Sequence, residues 1–264
     1  MKRLFISGVL LLSAQCVNAA SSCDINAIVQ HVWPDATSTP QGIITKDNQV
    51  ITTSANSPQS AICKVWPAQP ELTLAAVPLM SQQYTDYDHS GDLELLVLDS
   101  GTLNVKQRLN LPARMDDDAF RITGITLDTA RWKVKPNQTA FGLHIMRNGS
   151  SRVNPMSEDA LSLFVIEDNQ LRTILNGIVL ENSSGEWDGN CAGTFNDVKR
   201  TLALEPGSQK GYANIRVTEK NVASTTHTDA NGECVSKDKP GKTTTLLRYD
   251  GKHYVVPKSL MPLE

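Results

Sequence analysis

The sequence predicts an all-β protein built of antiparallel sheets, in a sandwich or a propeller-like arrangement, with one short N-terminal helix. Three observations predict it. Short apolar or alternating runs recur along most of the chain, dipeptides suited to tight hairpins stand between several of them, and helical apolar periodicity is scarce beyond residue 34.

The first residues read as a secretory signal. Lys2 and Arg3 give a positive start, Leu4 to Leu12 form a short apolar run, and Val17-Asn18-Ala19 offers a cleavage site after Ala19. The run is too short for a permanent membrane anchor. Lipidation at Cys16 is the rival reading, disfavoured by Gln15 where a small residue is needed. The expected location is therefore the periplasm of a Gram-negative cell, with residues 20–264 forming a single domain.

The helix is expected at about residues 24–33. Ser22 or Asp24 can cap it, Ile25, Ile28, Val29 and Val32 recur at helical spacing, and Pro34 stops it. Residues 35–60 are rich in Thr, Ser, Gln, Asn and Pro, with one short strand expected at Gly42–Thr45. Leu72–Val77 and Leu93–Leu98 then read as strands, the second apolar on both faces and so central in a sheet covered on both sides. Leu103–Leu109 alternates and should keep one wet face. Further strands are expected at 120–127, 140–147, 161–167, 171–179, 200–204, 211–218, 243–249 and 252–256. Asn148-Gly149, Asp168-Asn169, Asn231-Gly232 and Asp250-Gly251 supply turn residues that tolerate positive φ.

Five cysteines include Cys16, which leaves with the signal. The remaining Cys23, Cys63, Cys191 and Cys234 read as two disulfides of an oxidising compartment. Cys23–Cys63 and Cys191–Cys234 are the expected pairs, because each brackets a local, loop-rich segment. Each would close a loop of about 40 residues, worth roughly 4 kcal/mol by chain entropy. No cysteine spacing suits a metal or a redox motif.

The net charge of −3, more acidic once Lys2 and Arg3 are removed, disfavours nucleic acid and anionic membrane surfaces as partners. Hydrophobic residues make up 40% of the chain, ample for a core, and no second apolar stretch reaches membrane length.

The most specific string is Asp86-Tyr-Asp-His-Ser-Gly-Asp-Leu-Glu94 leading into Leu95-Leu-Val97. Calcium takes several oxygen ligands, and Asp86, Asp88 and Ser90 stand at the first, third and fifth places, with Gly91 at the sixth for a sharp turn. Asp92 would contribute at the seventh and Glu94 at the ninth. The string resembles the calcium loops of FG-GAP repeats and the first half of an EF-hand loop. It departs from them at Ser90, which gives up a charge, and at Val97, where an EF-hand has a bidentate Glu. The resemblance implies a bound calcium ion; the alternative is a polar turn before a buried strand.

Asp116, Asp117 and Asp118 form an acidic cluster between strands, suited to a cation or a basic partner. Trp187, flanked by Glu186 and Asp188 beside Cys191, suits either the rigid edge of a protein or carbohydrate contact or packing over the disulfide. The five histidines are scattered, and His144 should face away from Phe141, Leu143 and Ile145. Ser236-Lys-Asp-Lys239 and Pro240-Gly-Lys-Thr243 match catalytic or phosphate motifs only formally. Cys63-Lys-Val-Trp-Pro67 and Leu247–Tyr254 resemble segments of uncharacterised exported proteins of proteobacteria, a resemblance that implies no activity.

The leading expectation is a non-catalytic periplasmic binding protein, of an inhibitor or immunity kind, whose partner is an envelope protein, a toxin or hydrolase, or a glycan. Its contacts are expected at Asp86–Glu94, Asp116–Asp118 and Trp187. The alternatives are a cell-envelope hydrolase using carboxylates and a structural module of an envelope assembly.

Overall fold

The computed structural model describes residues 23–82 and 88–263. The signal segment, its cleavage site and Asp86 lie outside the described residues. Helix α1, Ile25–Val32, begins where the Asp24 carboxylate accepts hydrogen bonds from the Asn26 and Ala27 amides, and ends at Trp33 before Pro34. Three short strands follow, β1 (Thr37–Thr39), β2 (Gly42–Ile44) and β3 (Gln49–Ile51), then β4 (Ile62–Val65), β5 (Leu72–Ser81), β6 (Gly91–Asp99) and β7 (Val105–Leu111). These form one antiparallel sheet in the order β1-β2-β3-β5-β6-β7, with β4 also pairing β5.

The second sheet is a seven-stranded meander of β8 (Phe120–Lys135), β9 (Gln138–Gly149), β10 (Met156–Glu167), β11 (Gln170–Trp187), β12 (Gly193–Gln209), β13 (Tyr212–Thr228) and β14 (Cys234–Leu247). Tyr249 and Tyr254 bridge after it, and a single 3-10 turn spans Lys258–Leu260. The strand expected at 252–256 is thus only that isolated bridge, since Asp250 turns the chain by accepting from the Lys252 and His253 amides.

Two layers of side chains explain the two-faced strand. Leu93, Leu95 and Val97 of β6 face Phe141, Leu143, Ile145 and Phe164 of the second sheet. Leu96 and Leu98 point the other way, onto Ile28 and Val29 of α1. A sheet covered on both sides needs apolar residues at every position of its middle strand. A third layer lies on the far face of the second sheet, where Leu161, Leu163 and Ile178 meet Tyr249, Tyr254, Val256 and Leu260 of the returning C-terminal segment. His144 sits on that face, opposite Phe141, Leu143 and Ile145, as its place in the alternation requires.

Both expected disulfides are present, Cys23–Cys63 tying α1 to β4 and Cys191–Cys234 tying the start of β12 to that of β14. Asp168-Asn169 makes the two-residue turn between β10 and β11, with φ of 51° and 57°. Asn148-Gly149 does not turn the chain: both residues remain in β9, paired with Ser157 and Phe120.

Strands β11 to β14 run on past the apolar layers. No residue of 181–187, 193–200, 219–228 or 234–246 is buried, so these ends form a four-stranded sheet wet on both faces. Cys191–Cys234 staples it near its tip.

Candidate functional site

Antiparallel order fixes which loops share an end. β5, β7, β9, β11 and β13 finish where β6, β8, β10, β12 and β14 begin, so one end of the molecule carries Gln82 and residues 88–90, 112–119, 150–155, 188–192 and 229–233. Those loops contain Asp88, His89 and Ser90 of the acidic string, the aspartate cluster and the neighbourhood of Trp187.

Contacts join them. His89 and Asp117 form a backbone bridge, and the His89 Nδ1 lies 2.7 Å from the Asp117 carboxylate. The same carboxylate, buried, accepts from the Ile122 amide at 2.9 Å. Asp116 accepts from the Ser90 hydroxyl and the Gly91 amide at 3.0 and 2.8 Å. Farther along, the Ser150 amide donates to Ala119 and the Trp187 amide to Val153. Trp187 is half-buried beside Cys191 and belongs to none of the three apolar layers. Asp118 accepts from the Phe120 amide at its foot and stays exposed.

The described residues of the calcium-like string make protein contacts. Asp92 accepts from the Asn110 side-chain amide and the Ala113 backbone amide, both at 2.9 Å. Glu94 is buried in β6 and pairs with Arg108 at 2.7 Å; burial raises its carboxyl despite that partner. Asp88 is exposed. Gly91 opens β6 rather than making a sharp turn: a Cβ there would stand 2.7 Å from Met80 Sδ and 2.8 Å from Leu79 O. Among the described residues no group of three or more His, Cys, Asp or Glu is placed to hold a metal ion. Calcium coordination by Asp92 and Glu94 would require both to give up these partners.

Beside this rim opens a cleft of about 510 Å³ that the sequence did not reveal. One wall is the crossing between the sheets, Pro112 to Arg114. The floor is Ile145 and Arg147 of β9 with Ala160 and Ser162 of β10. Asn176 and Gly177 of β11 and the returning C-terminal segment close the remaining sides. Arg114 donates to the Asn176 side-chain oxygen. Arg147 has no hydrogen-bond or ion-pair partner among the described residues. Burial lowers both arginines from their ordinary value, and for Arg114 the nearby Arg147 adds to the effect. Arg114 and Arg147 are separated by a strand and a crossing, so only the packing of the two sheets brings them together.

Two further polar clusters lie elsewhere. His144 Nδ1 meets Asp159 at 2.9 Å, and Glu167 gathers Lys135, Arg172 and the Tyr212 hydroxyl. Both pack within strands and face no cleft described above. Comparison with protein families, curated proteins and solved structures finds no match.

Proposed function

We propose that this chain is an exported binding protein of the bacterial periplasm that meets a macromolecular partner through the acidic rim at one end of its sheets. The observation that carries the reading is the convergence just described: three features separate in sequence become one rim joined by hydrogen bonds. Exposed Asp88, Asp116, Asp118, Glu186 and Asp188 make it acidic, which favours a partner with a basic surface. Long antiparallel strands and a disulfide near the tip supply the rigidity on which binding loops depend. The periplasm is favoured by the signal-like first residues and by the two disulfides. Among the described residues no helix is long and apolar enough to cross a membrane. Candidate partners are an envelope protein, a toxin or hydrolase, or a glycan.

The test is affinity capture from native periplasmic extract with the oxidised mature protein as bait. A partner retained by the wild type and lost by the triple variant Asp116→Asn, Asp118→Asn, Trp187→Ala supports the reading. Equal capture by both proteins removes the rim as the contact surface.

Calcium stabilisation of the 86–94 string is a separate proposal, favoured by its acidic spacing alone. Thermal unfolding with millimolar calcium, magnesium or chelator decides it. A rise in Tm specific to calcium and lost in Asp88→Ala supports it, and an unchanged melt ends it.

A further inference from the structure

Among the described residues, the wall of the 510 Å³ cleft contains two arginines and no carboxylate, on a chain whose net charge is negative. That distribution calls for a physical account. Two guanidinium groups brought together away from water repel each other, and the cost falls when a counter-charge binds between them. Arg114 is oriented by Asn176, whereas Arg147 makes no hydrogen bond or close ion pair among the described residues and feels the Glu158 and Asp117 carboxylates only through their charge. Glu158 stands opposite Arg147 in the β9–β10 register but serves poorly as its counter-ion. One Glu158 oxygen accepts from the Leu263 amide at 3.3 Å, the other is buried without a hydrogen-bond partner, and burial raises the carboxyl.

The rest of the wall is mostly apolar, with Ile145, Val256, Met261 and Leu263 among its residues. A bare inorganic ion would satisfy the arginines and leave that surface wet. The volume lies in the range of small-molecule sites, about 300–1,000 Å³, whose usual form is an apolar enclosure with a few fixed polar groups. The C-terminal wall is held in place: Gly177, at φ +79°, lies so close to Pro262 that a Cβ would stand 2.9 Å from its ring.

We infer that the cleft binds a small organic anion, whose carboxylate or phosphate-ester head sits between Arg147 and Arg114 and whose apolar body lies against Val256, Met261 and Leu263. Planar guanidinium donors suit either head through paired hydrogen bonds. The inference rests on the reading of the chain as a binding protein, but it concerns a different surface from the acidic rim.

Isothermal titration of the mature oxidised protein with octanoate, octyl phosphate, octanol, acetate and inorganic phosphate tests it. Octanoate or octyl phosphate should bind about tenfold or more tightly than octanol and than its own short or inorganic counterpart. Whichever octyl anion binds better identifies the head. Arg147→Met should weaken that binding at least about tenfold with the melting temperature retained, and Arg147→Lys should restore part of it. Should Arg147→Met fail to fold, Val256→Asp and Arg114→Met carry the same expectation.

Octanol binding as well as octanoate would overturn the arginine role, and inorganic phosphate binding as well as octyl phosphate would overturn the apolar body. No binding by any probe, or binding untouched by these variants, overturns the site. Macromolecular capture by the wild type and Arg147→Met alike, alongside absent octyl binding, would sink this inference and leave the rim reading standing.

Discussion

Glu167 holds three partners at once: Lys135, Arg172 and the Tyr212 hydroxyl. Burial pushes its carboxyl upward, but the bonds and charges of Lys135 and Arg172 prevail and lower it to about 2. The ordinary value is 4.5, so the stabilisation is fully present above that pH and is lost as pH falls towards 2. Solvent screening of these partly exposed groups limits it to about 1–2 kcal/mol. Glu167→Gln should therefore flatten the acid limb of unfolding free energy measured by urea titration between those two pH values. His144 works in the opposite direction. Burial lowers its imidazole, but the Asp159 bond and the fields of Asp159 and Asp128 outweigh that and leave it raised above 6.5. Its contribution is complete below pH 6.5 and fades as pH rises through the folded value. Imidazole NMR should give a titration midpoint above the ordinary histidine value, and Asp159→Asn should bring it down.

The second sheet has a covered half and a wet half, and they should differ in stability. Its outer ends bury no residue, so backbone hydrogen bonds, cross-strand pairs and Cys191–Cys234 hold them together. Cys191→Ser with Cys234→Ser should let amides of 193–198 and 222–236 exchange faster, while those of Leu161–Val165 keep their protection, as measured by hydrogen–deuterium exchange. Equal acceleration in both regions would mean that the wet ends and the core open as one unit. At the other end of the same strands, Lys210-Gly211 turns β12 into β13 with φ of 52° and 83°. Gly211→Val places a branched side chain where L residues rarely go and should cost about 1–2 kcal/mol, read from chemical denaturation.

At the scale of the whole molecule, the aromatic cluster between the sheets joins them into one body. Phe141 stacks on Phe164 at 5.6 Å and meets the edge of Trp66, from the first sheet's side, at 5.5 Å. Phe141→Ala should cost about 3–5 kcal/mol and lower the midpoint of a single urea transition followed by far-ultraviolet circular dichroism. Two separate transitions would show that the sheets unfold independently. The sequence by itself determined the fold class, the helix start with Ser22 or Asp24 as its cap and the central place of Leu93–Leu98, and it favoured the two disulfide pairs that form. These follow from local periodicity, turn and cap chemistry, and cysteine spacing, which neighbouring residues largely settle. It missed the true ends of the long strands, because Thr, Ser, Lys and Asn in 193–200 and 234–246 bury nothing and leave no apolar signature. It also misjudged Asn148-Gly149, since a good turn dipeptide does not turn when both residues find partners in flanking strands. Only the tertiary structure decided that Ser90, Asp116 and Trp187 share one rim, and that Arg114 and Arg147 share one cleft. Those meetings depend on strand order and on how one sheet lies on the other, and no short stretch of chain encodes either.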